Sequence, residues 1–283
     1  MRYFIVSLLI LVIVACGGST GAPGVRATAA DQWTPVLPAS DLTVGRNRFL
    51  LGILDERNRP IVDAKVHLRF FDLSEPQPPL KAEADAIFRG TNLGDKGLYV
   101  TNVSFDRAGA WGVEVQASRP DGASRTARVQ FEVRAQSLTP AIGAPAIPSK
   151  NPTLKDGVPL EKLSTAQRPD PALHQLSIAD ALAQKKPFVV LFGSPGFCKT
   201  ATCAPSLEVV QALQAKYGER VNFIHVEIYK DPHQGIVAEA VEQWHLPSEP
   251  WLFLVDANGN VAEKLEGGIT LEEVEPAVAK LAA

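Results

Sequence analysis

Residues 187–218 read PFVVLFGSPGFCKTATCAPSLEVVQALQAKYG. Phe188–Phe192 is an unbroken apolar run between a proline and a glycine, the pattern of a strand buried on both faces. Beyond Cys203 the period becomes helical: Leu207, Val210, Leu213 and Tyr217 share one stripe, and Gly218 ends it. Between strand and helix lie two of the chain's three cysteines, Cys198 and Cys203. On one helix this pair would stand about 140° and ~7.5 Å apart, which a disulfide cannot bridge. Cys198 therefore belongs to a loop ahead of the helix if the two sulfurs are to meet. Pro205 agrees, since proline is tolerated only in a first turn, and it predicts a helix start near Thr200–Thr202. Cys203 then sits at the positive helix end, where a thiol pKa falls and Lys199 adds to the effect.

Outward from this stretch the periods alternate. Ser177 with Asp180 predicts a capped short helix before the strand. Downstream, VNFIHVEIY (221–229) reads as a strand, GIVAEAVEQW (235–244) as a helix, and WLFLVDANGNVAEKLEG (251–267) as a hairpin turning at Asn258-Gly259. Thr270 and Glu273 have capping-box spacing ahead of a last helix that buries Leu271, Val274, Val278 and Leu281. The expected order is αβαβαββα. A cysteine pair directly after the first central strand, a βαβ crossover, and LPSEPW (246–251) leading into a terminal hairpin and helix together resemble the thioredoxin superfamily over residues 173–283. That resemblance implies an α/β thioredoxin-like fold and thiol-disulfide exchange at Cys198 and Cys203. It also implies a cis-proline at Pro250, facing the cysteines and shaping the client groove.

The chain departs from the family at three points. Its cysteines are spaced C-x4-C rather than C-x-x-C, the flanking Trp and Gly-Pro are absent, and Glu249 precedes Pro250. A carboxylate there opposes the helix dipole and raises thiol pKa, carries a proton for the resolving thiol, or points to water. The longer spacing takes Cys198 off the helix start and puts Cys203 inside it, so that electrostatics and access favour different sulfurs. Leu207, one turn after Cys203 on the buried stripe, turns Cys203 inward. Access then makes Cys198 the attacking thiol and Cys203 the resolving one. The loop followed by CAP also resembles the Sco family of copper and thiol proteins, with C-x-x-x-C-P after the same strand. No cofactor is expected on the first reading; copper is the alternative that this second resemblance implies, with His225, His245 or His233 completing the site. Met1 is the sole methionine, so thiolates are the only soft ligands. A structural bridge in a redox-silent scaffold is the third reading.

Upstream, from Leu42 to Arg134, the period is two. Ala64, Val66, Leu68 and Phe70 alternate with polar residues, as do Trp111–Ala117 and Ala127–Val133, and Asp121-Gly122 supplies turn chemistry. Strands at this spacing predict an all-β sandwich over residues 41–135. GLYVTNVSFDRAGAWGVEVQA (97–117) is similar to immunoglobulin-like modules of the FixH/YtkA type in bacterial envelope proteins. No catalytic constellation accompanies it, and His67 lies on a Lys/Arg face. Residues 136–172, rich in proline and without a sustained period, predict an extended linker.

The chain opens MRYFIVSLLILVIVACGGSTGAP, an apolar run too short to span a bilayer comfortably and proportioned like a signal-peptide core. Ile13-Val14-Ala15-Cys16 resembles the lipobox of bacterial lipoproteins, which implies a signal peptide over 1–15, lipidation of Cys16 and a tether over 16–40. The expected location is extracytoplasmic, anchored to the cell membrane, where a disulfide persists. A net charge of −3 carries no basic footprint and gives no sign of a nucleic-acid partner. The expectation is a multidomain protein: an immunoglobulin-like sandwich, a linker, and a thioredoxin-like domain over 173–283 exchanging disulfides with envelope protein clients.

Overall fold

A computed structural model describes residues 33–283. Residues 1–32, with the expected signal segment, Cys16 and most of the tether, lie outside the described residues. The N-terminal part is built from β1 (Thr34–Val36), β2 (Gly45–Leu54), β3 (Lys65–Asp72), β4 (Leu80–Arg89), β5 (Leu98–Phe105), β6 (Gly109–Ser118) and β7 (Ser124–Val133). All pairings are antiparallel, in the order β1-β2-β5-β4-β3-β6-β7. The expected two-sheet sandwich is therefore one continuous, barrel-like sheet. The join is β4, whose first residues pair with β3 while Ile87–Arg89 pair with β5. The edges are stitched as well, because Val44 N–H donates to Arg134 O at 3.0 Å and Arg134 N–H to Leu42 O at 2.8 Å. Inside, Phe49, Phe70, Phe105 and Trp111 meet in edge-on ring contacts, the geometry aromatic quadrupoles favour.

Residues 136–172 follow a path that the proline count does not suggest. Gly143 N–H donates to Val261 O, Val261 N–H to Ala144 O and Ala146 N–H to Gly259 O, so the segment adds itself to the edge of the second sheet. Ser149 Oγ accepts from the Trp244 indole and Asn151 Oδ1 from Ile178 N–H. A short helix α1 (Leu160–Leu163) buries Leu163, and a turn of 3₁₀ helix over Pro171–His174 buries Leu173 and His174. The expected extended linker is thus docked at several points, where its buried residues and backbone polar groups find partners on the second part.

That part comprises α2 (Ile178–Ala183), β8 (Phe188–Phe192), α3 (Cys203–Tyr217), β9 (Asn222–Val226), β10 (Tyr229–Asp231), β11 (Ile236–Val237), α4 (Glu239–Gln243), β12 (Trp251–Val255), β13 (Val261–Glu266) and α5 (Leu271–Leu281). The helix expected from Gly235 begins only at Glu239, since Ile236–Val237 pair with β10 instead. The main sheet has the order β13-β12-β8-β9, with β8 and β9 parallel and the other pairs antiparallel. Alternate residues of its strands serve two cores. Val189, Leu191, Leu252 and Leu254 pack with α3 and α5, and Phe188, Val190, Phe192 and Phe253 pack with α2 and α4.

The capping box expected at α5 does not form. Thr270 Oγ1 is buried without a partner, and the Glu273 carboxylate instead takes both Nε (2.7 Å) and Nη2 (2.8 Å) of Arg48 from β2. A fork-to-fork pair with a guanidinium outcompetes a single backbone cap. Leu271, on the same turn, is left exposed. Arg48 Nη2 also donates to Gly268 O at 3.0 Å, and the two charged side chains are only 9% and 13% exposed. Removing one partner of so enclosed a pair strands the other charge. Arg48→Ala is expected to cost about 3 kcal/mol and to split the denaturant transition into two steps, read by fluorescence and far-UV dichroism together. A single transition at the wild-type midpoint would refute this.

Candidate functional site

The turn between β8 and α3 is shaped by its backbone. Ala201 N–H bonds Cys198 O at 3.1 Å and Ala201 adopts a left-handed φ of 56°, folding the loop back on itself. The Cα atoms of Cys198 and Cys203 thereby come to 5.9 Å and their sulfurs form a disulfide. Cys203 is the first residue of α3. Its N–H, one of the four that a helix leaves without an internal partner, donates to Cys198 Sγ at 3.3 Å. Cys198 lies in a loop off the helix, as the spacing implied, but the expectation that the helix end would favour only Cys203 is corrected. The loop carries its sulfur back over the helix end, so the field of the helix and the accessible position favour the same atom. Cys198 is partly exposed, whereas Cys203 is 0% exposed.

Cys203 is walled in by two neighbours. A Cβ placed on Gly193, just after β8, would lie 3.5 Å from Cys203 Cβ and 3.6 Å from Pro250 Cβ, so cysteine and proline both stand over this glycine. Pro250 follows a cis peptide bond, as the resemblance implied. Glu249 turns inward, its Oε2 accepting from Ser194 N–H at 3.2 Å and lying 3.6 Å from Cys203 Sγ. Burial is the main cause that pushes its carboxyl above the ordinary range; the Glu227 charge adds to it, and Ser194 N–H and Lys199 oppose it. Of the three roles open to Glu249 in the sequence, the contacts to Ser194 N–H and Cys203 Sγ favour the two that place its carboxyl beside the cysteine pair. The sulfurs of Cys198 and Cys203 and a Glu249 oxygen all lie within 4.8 Å of one another.

Behind this group stands support that sequence reading missed. Glu227 Oε2 accepts from Thr165 N–H and Oγ, both at 2.8 Å, and Thr165 Oγ accepts from Gly196 N–H at 2.9 Å. A residue of the packed connecting segment thus braces the cysteine loop. A lone threonine in a stretch without periodicity carries no signal for such a role. His225 Nε2–H donates to Gly193 O at 2.9 Å, and its Nδ1 is buried without a partner. His174 packs edge-on against it at 5.2 Å. None of the three histidines weighed as copper ligands joins the sulfurs: His225 is committed to backbone, His245 is exposed, and His233 is exposed against Phe197.

No family model and no curated protein matches the sequence. Among solved structures, the chain is similar to a thiol:disulfide interchange protein of the thioredoxin family from Chlorobium tepidum TLS, at 18% identity over 38% of this chain and 86% of that one, with a TM-score of 0.31. It is similar to the exposed lipoprotein thioredoxin of Streptococcus pneumoniae at 14% identity over 35% and 90%, TM-score 0.28. It is also similar to CopC from Methylosinus trichosporium OB3b at 14% identity over 36% and 96%, TM-score 0.23. At these identities and scores the likeness assigns no residue of this chain a role.

In chemical terms the arrangement offers an outer sulfur that receives a helix N–H, an inner sulfur shielded from water, and a carboxyl of raised pKa against the inner one. Among the described residues, no helix is long and apolar enough to cross a membrane.

Proposed function

We propose that the chain is an extracytoplasmic thioredoxin-like protein, anchored through a lipidated Cys16, that exchanges disulfides with envelope protein clients through Cys198 and Cys203. The observation that carries this reading is the division of labour between the sulfurs: Cys198 is accessible and takes the Cys203 N–H, and Cys203 is buried beside Glu249. The four-stranded sheet, the crossover through α3 and the place of Pro250 support it.

In the reducing direction the Cys198 thiolate attacks one sulfur of a client disulfide. That S–S bond breaks, and the client's other sulfur leaves as a thiolate. Cys203 then loses its proton to the Glu249 carboxylate and attacks Cys198 Sγ, re-forming the Cys198–Cys203 bond and releasing the second client sulfur. Two electrons pass from the protein dithiol to the client disulfide, and a dithiol donor restores the protein. Run backwards, the same steps oxidise a client dithiol.

Mixing reduced protein with an oxidised peptide tests the reading. Stoichiometric transfer, with Cys198–Cys203 re-formed, is expected; no transfer, together with a potential well below about −300 mV, would leave a structural bridge in its place. A base that takes a proton in the rate-limiting step contributes at least about a hundredfold. Glu249→Gln is accordingly expected to slow client release by about that factor at pH 7 while the first attack keeps its rate, as separated by rapid quench. Equal slowing of both steps would reduce Glu249 to a packing role.

The copper-carrier reading draws on one observation, the convergence of two sulfurs and a carboxylate within 4.8 Å. The thiolates suit Cu(I) and the carboxylate suits harder ions. Titrating the reduced protein with Cu(I) decides it.

A further inference from the structure

The β4–β5 loop of the N-terminal part reaches the helix that carries Cys203: Asn92 Nδ2 donates to Pro205 O at 3.1 Å, in the first turn of α3, and to Ile269 O at 3.2 Å. Leu93 and Thr202 close on Gly268 so tightly that a Cβ there would meet Leu93 Cδ1 at 2.8 Å and Thr202 Cβ at 3.2 Å. Beside this junction runs a solvent-open groove of about 380 Å³. One wall is hydrocarbon from the N-terminal sheet, including Val36, Leu54 and Leu98. The other end is formed by Thr200, Thr202 and Glu249, the residues that flank the cysteine pair. Gly52 deepens it, since a Cβ at that position would touch Leu98 at 3.5 Å and Val36 at 3.8 Å. Val36 stands 42% exposed at its rim.

We propose that this groove is the client-recognition site, contributed by the N-terminal module, and that its occupant is an extended polypeptide segment with apolar, neutral or basic residues flanking the reacting cysteine. The proposal rests on the exchange reading above. Three features select this occupant. The groove ends at the loop that carries Cys198, so a chain lying in it brings a sulfur to that atom. Its walls are mostly apolar and hold about two medium side chains. Its charged lining is Asp95, Glu249 and Glu266 against Lys96, an acidic balance that repels small anionic thiols and accepts basic residues.

The test uses the full chain carrying Cys203→Ser and two peptides, each with one cysteine activated as a mixed disulfide with thionitrobenzoate. Attack by Cys198 on the peptide sulfur breaks that bond, expels the thionitrobenzoate anion with the electron pair, and leaves a protein–peptide disulfide. One peptide flanks its cysteine with Val, Leu and Lys, the other with Gly, Ser and Asp. Partial burial of two apolar side chains predicts about tenfold faster capture of the first. Val36→Asn should bring the ratio of rates down towards one. Gly52→Val should do the same by filling the groove, and a β-branched residue within a strand keeps the sheet, so a lost ratio there does not signify misfolding. Equal rates with the groove intact would overturn the proposal while leaving exchange standing. Failure to capture either peptide would overturn exchange and the groove with it. Capture that slows as protein concentration rises, with dimers in sedimentation, would give the groove to a second copy and equally refute the client assignment.

Discussion

Protein carrying Cys203→Ser is expected to accumulate a covalent adduct with client disulfides, and protein carrying Cys198→Ser to form at least about a hundredfold less. The first variant retains the accessible sulfur; the helix N–H that Cys203 presents to it is main-chain and survives the substitution. Its mixed disulfide then has no resolving thiol. The second variant keeps only a sulfur that is 0% exposed, packed behind Gly193 and Pro250 and beside a carboxyl of raised pKa. Reaching a client from there requires local opening, and an opening cost near 2.7 kcal/mol corresponds to two decades in rate. Non-reducing electrophoresis and mass mapping of the trapped peptides check the result. Comparable adducts through Cys203 would reverse the roles of the two sulfurs.

The fold is expected to weaken in mild acid by ~2 kcal/mol between pH 7 and pH 5 through His174 alone. Burial first, and the neighbouring His225 second, lower the His174 pKa to about 3 from an ordinary 6.5. The unfolded chain therefore takes up a proton as pH drops through 6.5, while the folded chain declines it until about 3. The stabilising difference is fully present above 6.5 and is lost progressively below it. His225 is lowered as well, chiefly by burial, and acts in the same direction. The geometry explains why: Nε2–H is spent on Gly193 O, and a proton on Nδ1 would find no acceptor among the described residues. His174→Phe keeps a ring against His225 and should remove about 2 kcal/mol of the acid sensitivity in urea titrations at the two pH values. An unchanged pH dependence in the variant would show that His174 is not the cause.

What the sequence disclosed, and what it did not, follows from the range of the interactions. Phe188–Phe192 announced itself because five consecutive apolar side chains leave few alternatives to a strand buried on both faces, and Ser177 with Asp180 forms its cap with partners three residues apart. Cys198 and Cys203 were legible as a pair, and the constraint of disulfide reach placed Cys198 in a loop. Apart from Pro250, which the resemblance supplied, what escaped were features whose partners lie far along the chain. Glu273 matched a local capping rule and was claimed by Arg48, a competitor no window around Thr270 contains. Thr165, held by Glu227, supports the cysteine loop from a segment whose prolines read as an extended linker. The sandwich pattern was visible in the alternation of β3, β6 and β7, yet closure into one sheet depended on β4 changing partner at Ile87, which period-two patterning does not encode.

The pair between Arg48 and Glu273 joins residues 225 positions apart. During synthesis the guanidinium is laid down early and its carboxylate arrives in the last helix. A chain cut before Leu271 retains Arg48 on the face that α5 should cover, and it loses Val274 and Val278 from the second core. Molecules clipped there thus carry an uncompensated charge beside exposed hydrocarbon, so the last helix closes the charge balance and the second core in one step.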